Sequence, residues 1–281
     1  MSLIHLFRRC NQKCVFCSYP ADAARDEGNL RSWLKEIAGM KPGLVQISGG
    51  EPLLADLPDL IKVIAFCAKL GRPVEFQTNG VLLAGLGPAG LAVLARAVGG
   101  AKGYFNINFP APDSAGDMKI TRTRGAFRAR TKAVKDLLAL GAKVRLTFVI
   151  CSLNYRQAAK FAAFAAGNFP GLAWLQFSFI KGIGRAEGSA FIPKYSSAVP
   201  YLMKALDLCG RKGLKCDVDH IPPCFLGRHH ARNVDINKMR SGIPGPHLAE
   251  KEKVPECKGC GFSRLCPGPR KDYIAVHGHL K

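Results

Sequence analysis

Short apolar runs alternate with longer amphipathic stretches along most of the chain. Apolar residues fill the runs almost completely, which is typical of strands buried on both faces. Between the runs the apolar residues recur at helical spacing, so that in residues 125–140 Phe127, Val134 and Leu137 share one face. Strands are predicted at 3–7, 44–49, 73–79, 104–109, 144–150 and 175–180, with 214–218 as a further candidate, and helices at 29–40, 57–70, 88–98, 125–140, 155–166 and 196–211.

This order amounts to six or seven strand–helix units. Strands that alternate with helices of this length predict a parallel sheet with helices on its outer face, and right-handed crossovers curl such a sheet towards a barrel. We therefore predict an α/β fold in which residues 1–220 form a partial (β/α)6 barrel. Residues 221–281 are rich in Pro, Gly, His and Cys and show no strand or helix period. They are predicted to form an irregular module that something other than an apolar core holds together.

Composition narrows the class of protein. The chain has 281 residues and 11 cysteines, no signal peptide, and no run of about 18 apolar residues that would cross a membrane. A cytoplasmic location is expected, where clustered cysteines bind metal more often than they form disulfides. A net charge of +21 suits an acidic partner such as a nucleic acid or an acidic peptide, or reflects a basic solvated surface.

Three cysteines, Cys10, Cys14 and Cys17, follow the first strand and therefore lie at the rim where such barrels carry their chemistry. Three thiolates in one short loop can hold three irons of a [4Fe–4S] cluster and leave the fourth iron open. A zinc ion would need a fourth ligand, which His5 could supply from the strand.

Three further motifs fall on the same rim. S-G-G-E-P (48–52) ends the second strand, F-Q-T-N-G (76–80) ends the third, and G-I-G-R-A (182–186) follows the sixth. In this order, behind a CxxxCxxC loop, they are typical of the radical S-adenosylmethionine superfamily, which the sequence resembles over about residues 3–220.

The resemblance implies that S-adenosylmethionine chelates the open iron through its amino and carboxylate groups. Gly49, Gly50 and Glu51 match the motif that holds the amino group, and Phe16 stands where an aromatic ring usually lies near the adenine. Other positions implied to contact the cofactor are Asn79, Asn106, Arg122 or Arg124, and Ile150. The fourth strand departs from the family, since Asn106 and Asn108 stand where many relatives have a serine and an aspartate. No catalytic acid or base is predicted.

A second group of cysteines lies in the tail, at Cys224, Cys257, Cys260 and Cys266. Four thiolates can close a zinc site or bind a complete second cluster. The pattern resembles the SPASM and twitch auxiliary modules of the family, although Arg270 stands where a further cysteine is expected. This predicts one auxiliary [4Fe–4S] cluster, with zinc as the alternative. Cys209 or Cys216 could replace Cys224 as the fourth ligand.

The resemblance implies an enzyme that reductively cleaves S-adenosylmethionine to a 5′-deoxyadenosyl radical and takes hydrogen from a substrate. A reductant such as ferredoxin or flavodoxin would supply the electron. Peptide crosslinking or oxidation is favoured. The alternatives are dehydrogenation or rearrangement of a sugar, an aminocyclitol or another small metabolite, modification of a nucleic acid, and a zinc protein without activity. Because Cys10 comes so early, we expect a peptide to need a separate recognition protein or direct capture by the basic surface.

Overall fold

The computed structural model describes residues 2–19, 28–188, 190–242 and 246–280. The strands are β1 Ser2–His5, β2 Val45–Ser48, β3 Val74–Thr78, β4 Tyr104–Asn108, β5 Val144–Ile150, β6 Trp174–Phe179 and β7 Cys216–Asp219. The helices are α1 Leu30–Gly39, α2 Leu57–Lys69, α3 Gly87–Gly100, α4 Ser114–Thr121, α5 Ala126–Ala139, α6 Ala158–Asn168, α7 Tyr195–Arg211, α8 Val234–Arg240 and α9 Lys271–His277.

The seven strands found among the described residues form one sheet in the order of the chain, and every neighbouring pair is parallel. The predicted α/β architecture is confirmed, and the candidate strand at 214–218 is present as β7. Its pairing with β6 adds a seventh strand to the six-unit barrel that was predicted.

The two faces of the sheet differ sharply in polarity, because successive side chains on a strand point to opposite sides. On β3, Val74 and Phe76 are fully buried beneath the helices, whereas Glu75 and Gln77 face a cavity on the inner side. The same alternation continues on β5, where Leu146 is buried in the core and Arg145 faces the cavity. The inner face is therefore a polar wall, although the strands are dominated by apolar residues.

Helix α4 was not predicted, because its sequence carries almost no apolar period. It begins after Asp113, whose carboxylate accepts a hydrogen bond from the amide of Gly116 at 2.9 Å. Its buried residues include Asp117 and Thr121. A helix that buries polar groups has no apolar stripe by which the sequence could reveal it.

The tail was predicted to be an irregular module held by something other than an apolar core; it is largely irregular, but the second part of this expectation is wrong. It contains α8 and α9. Ile221, Leu226 and Tyr273 are buried and join the same apolar cluster as the barrel core. These helices are only one to two turns long, too short for a periodic pattern to appear in the sequence. In the part of the chain that the structure describes, no helix is both long and apolar enough to cross a membrane.

Candidate active site

The inner face of the sheet encloses a cavity of about 570 Å³ that is open on one side. All seven strands contribute side chains to it, and the loop after β1 closes one end. The sequence-predicted residues that line it are Cys10, Cys14, Phe16, Cys17, Gly49, Gly50, Asn79 and Asn106. Of the residues predicted to contact the cofactor, Glu51, Arg122, Arg124 and Ile150 do not line it.

The cysteine loop is held by backbone hydrogen bonds to the end of α4. The amides of Lys13 and Val15 donate to the carbonyls of Thr121 and Ile120, at 3.2 and 3.0 Å. The amide of Cys17 donates to the carbonyl of Cys14 at 3.2 Å, which tightens the last turn of the loop. Helix α4 thus supports the loop that carries the three thiols.

The three thiols lie close enough to influence one another. Burial, with smaller contributions from Cys10 and Cys17, raises the pKa of Cys14 to about 12. Burial also raises the pKa of Cys10, and Cys17 adds to that effect. Cys10 and Cys14 therefore bind their protons tightly until a cation compensates the thiolate, as metal ligation does with release of the proton. Within the described residues, no three His, Cys, Asp or Glu side chains converge tightly enough to hold a single metal ion.

The glycine pair after β2 lets the cysteine loop lie directly against the sheet. The amide of Gly50 donates to the carbonyl of Phe7 at 2.7 Å, and the amide of Glu51 donates to that of Arg9 at 2.9 Å. A Cβ on Gly50 would lie 1.9 Å from the carbonyl oxygen of Arg9, and one on Gly49 would lie 2.4 Å from that of Phe7. Glycine is thus required here by the approach of the chain to itself, whatever ligand the cavity holds.

Glu51 is fully buried and uses its carboxylate within the protein. It accepts hydrogen bonds from the hydroxyl of Thr78 at 2.7 Å, the amide of Asn79 at 2.8 Å and the amide of Leu53 at 3.2 Å. Burial raises its pKa, and these hydrogen bonds oppose the rise. Its side chain fixes the loop after β3 and does not face the cavity. The predicted contact of Glu51 with the cofactor therefore stays a prediction, and only its backbone atoms could make that contact.

Both predicted asparagines face the cavity. The side-chain nitrogen Nδ2 of Asn79 donates to Asn11 Oδ1 at 2.6 Å and lies 3.8 Å from Cys10 Sγ. These contacts link the end of β3 to the cysteine loop. Asn106 donates to Glu75 at 2.8 Å and accepts from Thr147 at 2.7 Å.

Two predicted cofactor contacts lie elsewhere. Arg122 is an exposed residue that ends α4 in the left-handed conformation, and Arg124 is also exposed. Ile150 is buried, 1% exposed, on the helix-facing side of β5, and its neighbour Val149 faces the cavity instead. A shift of one residue along a strand exchanges the two faces, so the orientation of the Ile150 side chain does not support its predicted contact with the cofactor, which stays a prediction.

A buried arginine, Arg130 on α5, also lies next to the cysteine loop. It is fully buried, forms an ion pair with Asp117, and donates to the carbonyl of Asn79 at 2.7 Å and to Gln12 Oε1 at 3.5 Å. Its positive charge lowers the pKa of Cys14, against the effect of burial. Sequence reasoning missed it because R-A-R-T-K-A-V-K looks like a basic helix surface; only the spacing of Arg130 from Ala126, Ala133 and Val134 on the buried face marks it.

Sequence reasoning also missed the polar wall at the far end of the cavity. Glu75 and Arg145 form an ion pair there, and Tyr104 donates to Glu75 at 2.6 Å. Asp217, on β7, faces the same space, and burial raises its pKa to about 6. The alternation of polar residues at 75 and 77, at 104, 106 and 108, and at 217 and 219 was the available signal.

The G-I-G-R-A segment borders the cysteine loop, as its place after β6 predicts. It contains a 3-10 turn at Gly184–Ala186, and the amide of Arg185 donates to the carbonyl of Cys17 at 3.0 Å.

The four tail cysteines lie near one another, although among the described residues no three of them converge tightly enough to hold a single metal ion. Burial, with smaller contributions from the nearby Cys260, Cys266 and Cys257, raises the pKa of Cys224 to about 11. Cys224 lies in a short 3-10 turn, Pro223–Phe225, and is exposed, whereas the other three are half-buried. The alternative ligands are engaged elsewhere, because Cys209 and Cys216 are buried and interact with each other.

The remaining candidates have structural partners. His229 lies 2.8 Å from Asp207 on the surface. Tyr273 stacks on Tyr195 with ring centroids 3.8 Å apart, and His277 lies 3.2 Å from the carbonyl of Ile192.

Comparison with known proteins identifies the family. The model of the radical SAM superfamily matches residues 4–165. The chain belongs to the radical SAM superfamily. The match takes in the cysteine loop, the glycine pair and the first five strands.

Two curated relatives of this radical SAM chain differ in what their names describe. PqqA peptide cyclase of Methylorubrum populi is 28% identical over 160 residues, which are 55% of the chain and 40% of the relative. Fe-coproporphyrin III synthase of Methanosarcina barkeri is 28% identical over 159 residues, 54% of the chain and 37% of the relative. The chain therefore matches less than half the length of either protein.

Two solved structures share the radical SAM fold. Streptococcus suis SuiB bound to precursor peptide SuiA has a TM-score of 0.63 at 17% identity, over 77% of the chain and 48% of SuiB. The structure of anSMEcpe with bound AdoMet and Cp18Cys peptide has a TM-score of 0.65 at 17% identity, over 97% of the chain and 90% of anSMEcpe. The second likeness extends through the tail, so the tail belongs to the shared fold.

The residues of the cavity fit the cofactors that the family implies, a [4Fe–4S] cluster and S-adenosylmethionine. Three thiols face the cavity, the donor set that binds iron in such clusters. Gln12 and Asn108 also line the cavity, and their side-chain atoms Nε2 and Oδ1 are buried without a hydrogen-bond partner among the described residues. One is a donor and the other an acceptor, so a polar ligand in the cavity would satisfy both.

Proposed function

We propose that this chain cleaves S-adenosylmethionine reductively and uses the product to take a hydrogen atom from a peptide substrate. The observation that carries the proposal is the placement of Cys10, Cys14 and Cys17 together at one end of an open polar cavity. When bound there, the cluster supplies the single electron that breaks the sulfonium bond of S-adenosylmethionine. The protein's part is to bind and orient both molecules and to keep water out.

The cysteine end of the cavity is assigned to the cofactor. Cys10, Cys14 and Cys17 would hold the cluster, and Phe16 offers an aromatic face to the adenine. Asn79 is tied to the cysteine loop and would contact the cofactor from β3. Glu51 would act indirectly, because its carboxylate accepts a hydrogen bond from the backbone amide of Asn79 and so fixes the position of that residue.

The strand end of the cavity is assigned to the substrate. Its wall presents carboxylate, guanidinium, phenol and amide groups from Glu75, Arg145, Tyr104 and Gln176. Such a wall suits a molecule with many hydrogen-bonding groups, as a peptide backbone has. The names of two related proteins, a peptide cyclase and an enzyme bound to its precursor peptide, agree with this class.

The four tail thiols are proposed to hold a second [4Fe–4S] cluster, which would accept an electron from the substrate or help to bind it. Their grouping supports a metal site, and a zinc ion is the alternative. A ferredoxin or flavodoxin is proposed as the reductant.

A small metabolite is the second candidate substrate, because a relative at the same identity is Fe-coproporphyrin III synthase. One experiment separates the two classes. An extract of cells grown in heavy water is divided by size into a peptide pool and a small-molecule pool. Each pool is incubated with anaerobically reconstituted protein, S-adenosylmethionine and dithionite, and deuterium is measured in the 5′-deoxyadenosine that forms.

Deuterium transferred from the peptide pool supports the proposal, and transfer from the small-molecule pool alone supports the second candidate. Cys14→Ala is the control, because without the cluster it should form no 5′-deoxyadenosine from either pool. A wild-type protein that forms no 5′-deoxyadenosine under any condition would contradict both.

A further inference from the structure

Three charged residues of the tail hold two consecutive residues of the loop that follows β6. Arg270 is buried, with 2% of its side chain exposed, and pairs with both Asp272 and Glu250. Glu250 in turn accepts from Lys181 Nζ at 3.1 Å, and Asp272 accepts from the backbone amide of Gly182 at 2.7 Å. We call this set, Lys181, Gly182, Glu250, Arg270 and Asp272, the tail clamp.

The clamp is built for close contact at Gly182. A Cβ on this residue would lie 2.8 Å from the side chain of Ile192 and 3.2 Å from Cβ of Asp272. Only glycine lets the loop backbone approach near enough for its amide to reach the carboxylate. The contact therefore depends on where α9, which begins at Lys271, is docked.

The clamped loop also touches the cysteine end of the cavity. Lys181 lines the cavity, and three residues beyond Gly182 the amide of Arg185 donates to the carbonyl of Cys17 at 3.0 Å. Hydrogen bonds at both ends of the loop, joined by the loop backbone from Gly182 to Arg185, thus connect Arg270 and Asp272 to Cys17.

From this path we propose that the tail clamp is a positioning device for the cofactor side of the cavity. The docked tail holds residues 181–186 against the cysteine loop, and tight binding of S-adenosylmethionine depends on that order. The proposal rests on the proposed function in one respect, the identity of the ligand. Asp272 and Arg270 act through the loop and touch neither the cofactor nor the thiols.

The test uses the full-length, anaerobically reconstituted protein in four forms: wild type, Asp272→Ala, Asp272→Asn and Asp207→Ala. Asp272→Ala removes both the acceptor for Gly182 and one of the two carboxylate partners of Arg270. Asp272→Asn keeps an oxygen for the amide and loses the charge. Asp207→Ala is the matched control, since Asp207 forms an exposed ion pair with Arg228 at 2.7 Å outside the clamp.

Two quantities are measured: amide hydrogen exchange across residues 181–188, and the Kd for S-adenosylmethionine without reductant. Loss of a hydrogen bond to a charged acceptor predicts about tenfold faster exchange in this loop and about a tenfold higher Kd in Asp272→Ala. Asp272→Asn should lie between the wild type and Asp272→Ala, and Asp207→Ala should match the wild type in both quantities.

Unchanged loop exchange, an unchanged Kd, or acceleration spread evenly over all seven strands would each overturn the proposal. The failure of the proposed function has a different signature. In that case the wild type binds no S-adenosylmethionine, while the exchange pattern of the loop still decides whether the clamp orders it.

Discussion

The buried ion pair between Arg130 and Asp117 offers the sharpest test of how the cysteine loop is supported. Arg130→Met removes the guanidinium and keeps a side chain of similar length in the core. The change leaves Asp117 buried without a cation and takes the donor from the carbonyl of Asn79, 2.7 Å away. It also removes the contact of Arg130 with Gln12 in the cysteine loop.

The expected loss is large because both partners are inaccessible to water, with side-chain exposures of 0% and 1%. Removing one partner of such a pair lowers the free energy of unfolding by about 3–5 kcal/mol. Proteins of this kind are stable by about 5–15 kcal/mol in total. The variant should therefore remain foldable but unfold at a much lower urea concentration.

The assay is urea unfolding of wild type, Arg130→Met, Asp117→Leu and the double variant, at neutral and at acidic pH. The double variant should recover part of the loss, because no unpaired charge remains in it. The loss in Arg130→Met should shrink as the pH falls, since burial raises the pKa of Asp117 and the orphaned carboxylate then takes a proton. A loss below about 1 kcal/mol at neutral pH, within the range of an exposed pair, would refute the reasoning.

Three further predictions concern the cavity and the tail. Gly50→Ala should abolish iron binding at the cysteine loop, because the added Cβ would lie 1.9 Å from a loop carbonyl oxygen. Gly99→Ala is the control, because no atom lies within 4 Å of a Cβ there, and it should leave the iron content unchanged. Equal iron content in the two variants would contradict this prediction. Cys14→Ala should lose 5′-deoxyadenosine formation and keep the tail metal, whereas Cys260→Ser should keep 5′-deoxyadenosine formation and lose the tail metal. Metal analysis and an assay of 5′-deoxyadenosine on both variants check this. Burial raises the pKa of Asp217 in the folded protein to about 6. The contribution of its bound proton to stability is complete at pH values below the pKa that Asp217 has in the unfolded chain. That contribution is lost as the pH rises through 6. Asp217→Asn should therefore leave unfolding unchanged near about pH 4 and raise stability by up to about 3 kcal/mol near about pH 7.5, and equal effects at the two pH values would count against the assignment.

The architecture could be predicted from the sequence because its signals are local. Apolar runs and amphipathic stretches alternate clearly enough to place the first six strands and the large helices. The CxxxCxxC loop and the glycine pair are short motifs whose positions after β1 and β2 follow from that order. Even there the physical reason for the glycines differs from the expected one, since Gly50 makes room for Arg9 of the chain itself.

The contacts across the cavity could not be predicted, because they depend on which residues meet in space. Arg122 and Arg130 look alike in sequence, yet the first ends a helix in solvent and the second is buried beside the cysteine loop. Ile150 and Val149 are adjacent, and the strand register alone decides which of them faces the cavity. Arg270 was noticed only as a missing cysteine, and its ion pairs with Glu250 and Asp272 connect residues far apart in the chain.

The measurement that tests the central claim most directly is made on anaerobically reconstituted protein. Iron and sulfide are counted per chain, and 5′-deoxyadenosine is assayed after S-adenosylmethionine and dithionite are added. We predict about eight irons per chain, as two [4Fe–4S] clusters require, together with formation of 5′-deoxyadenosine. A protein that binds zinc and no iron, and that leaves S-adenosylmethionine intact, would contradict the proposed function.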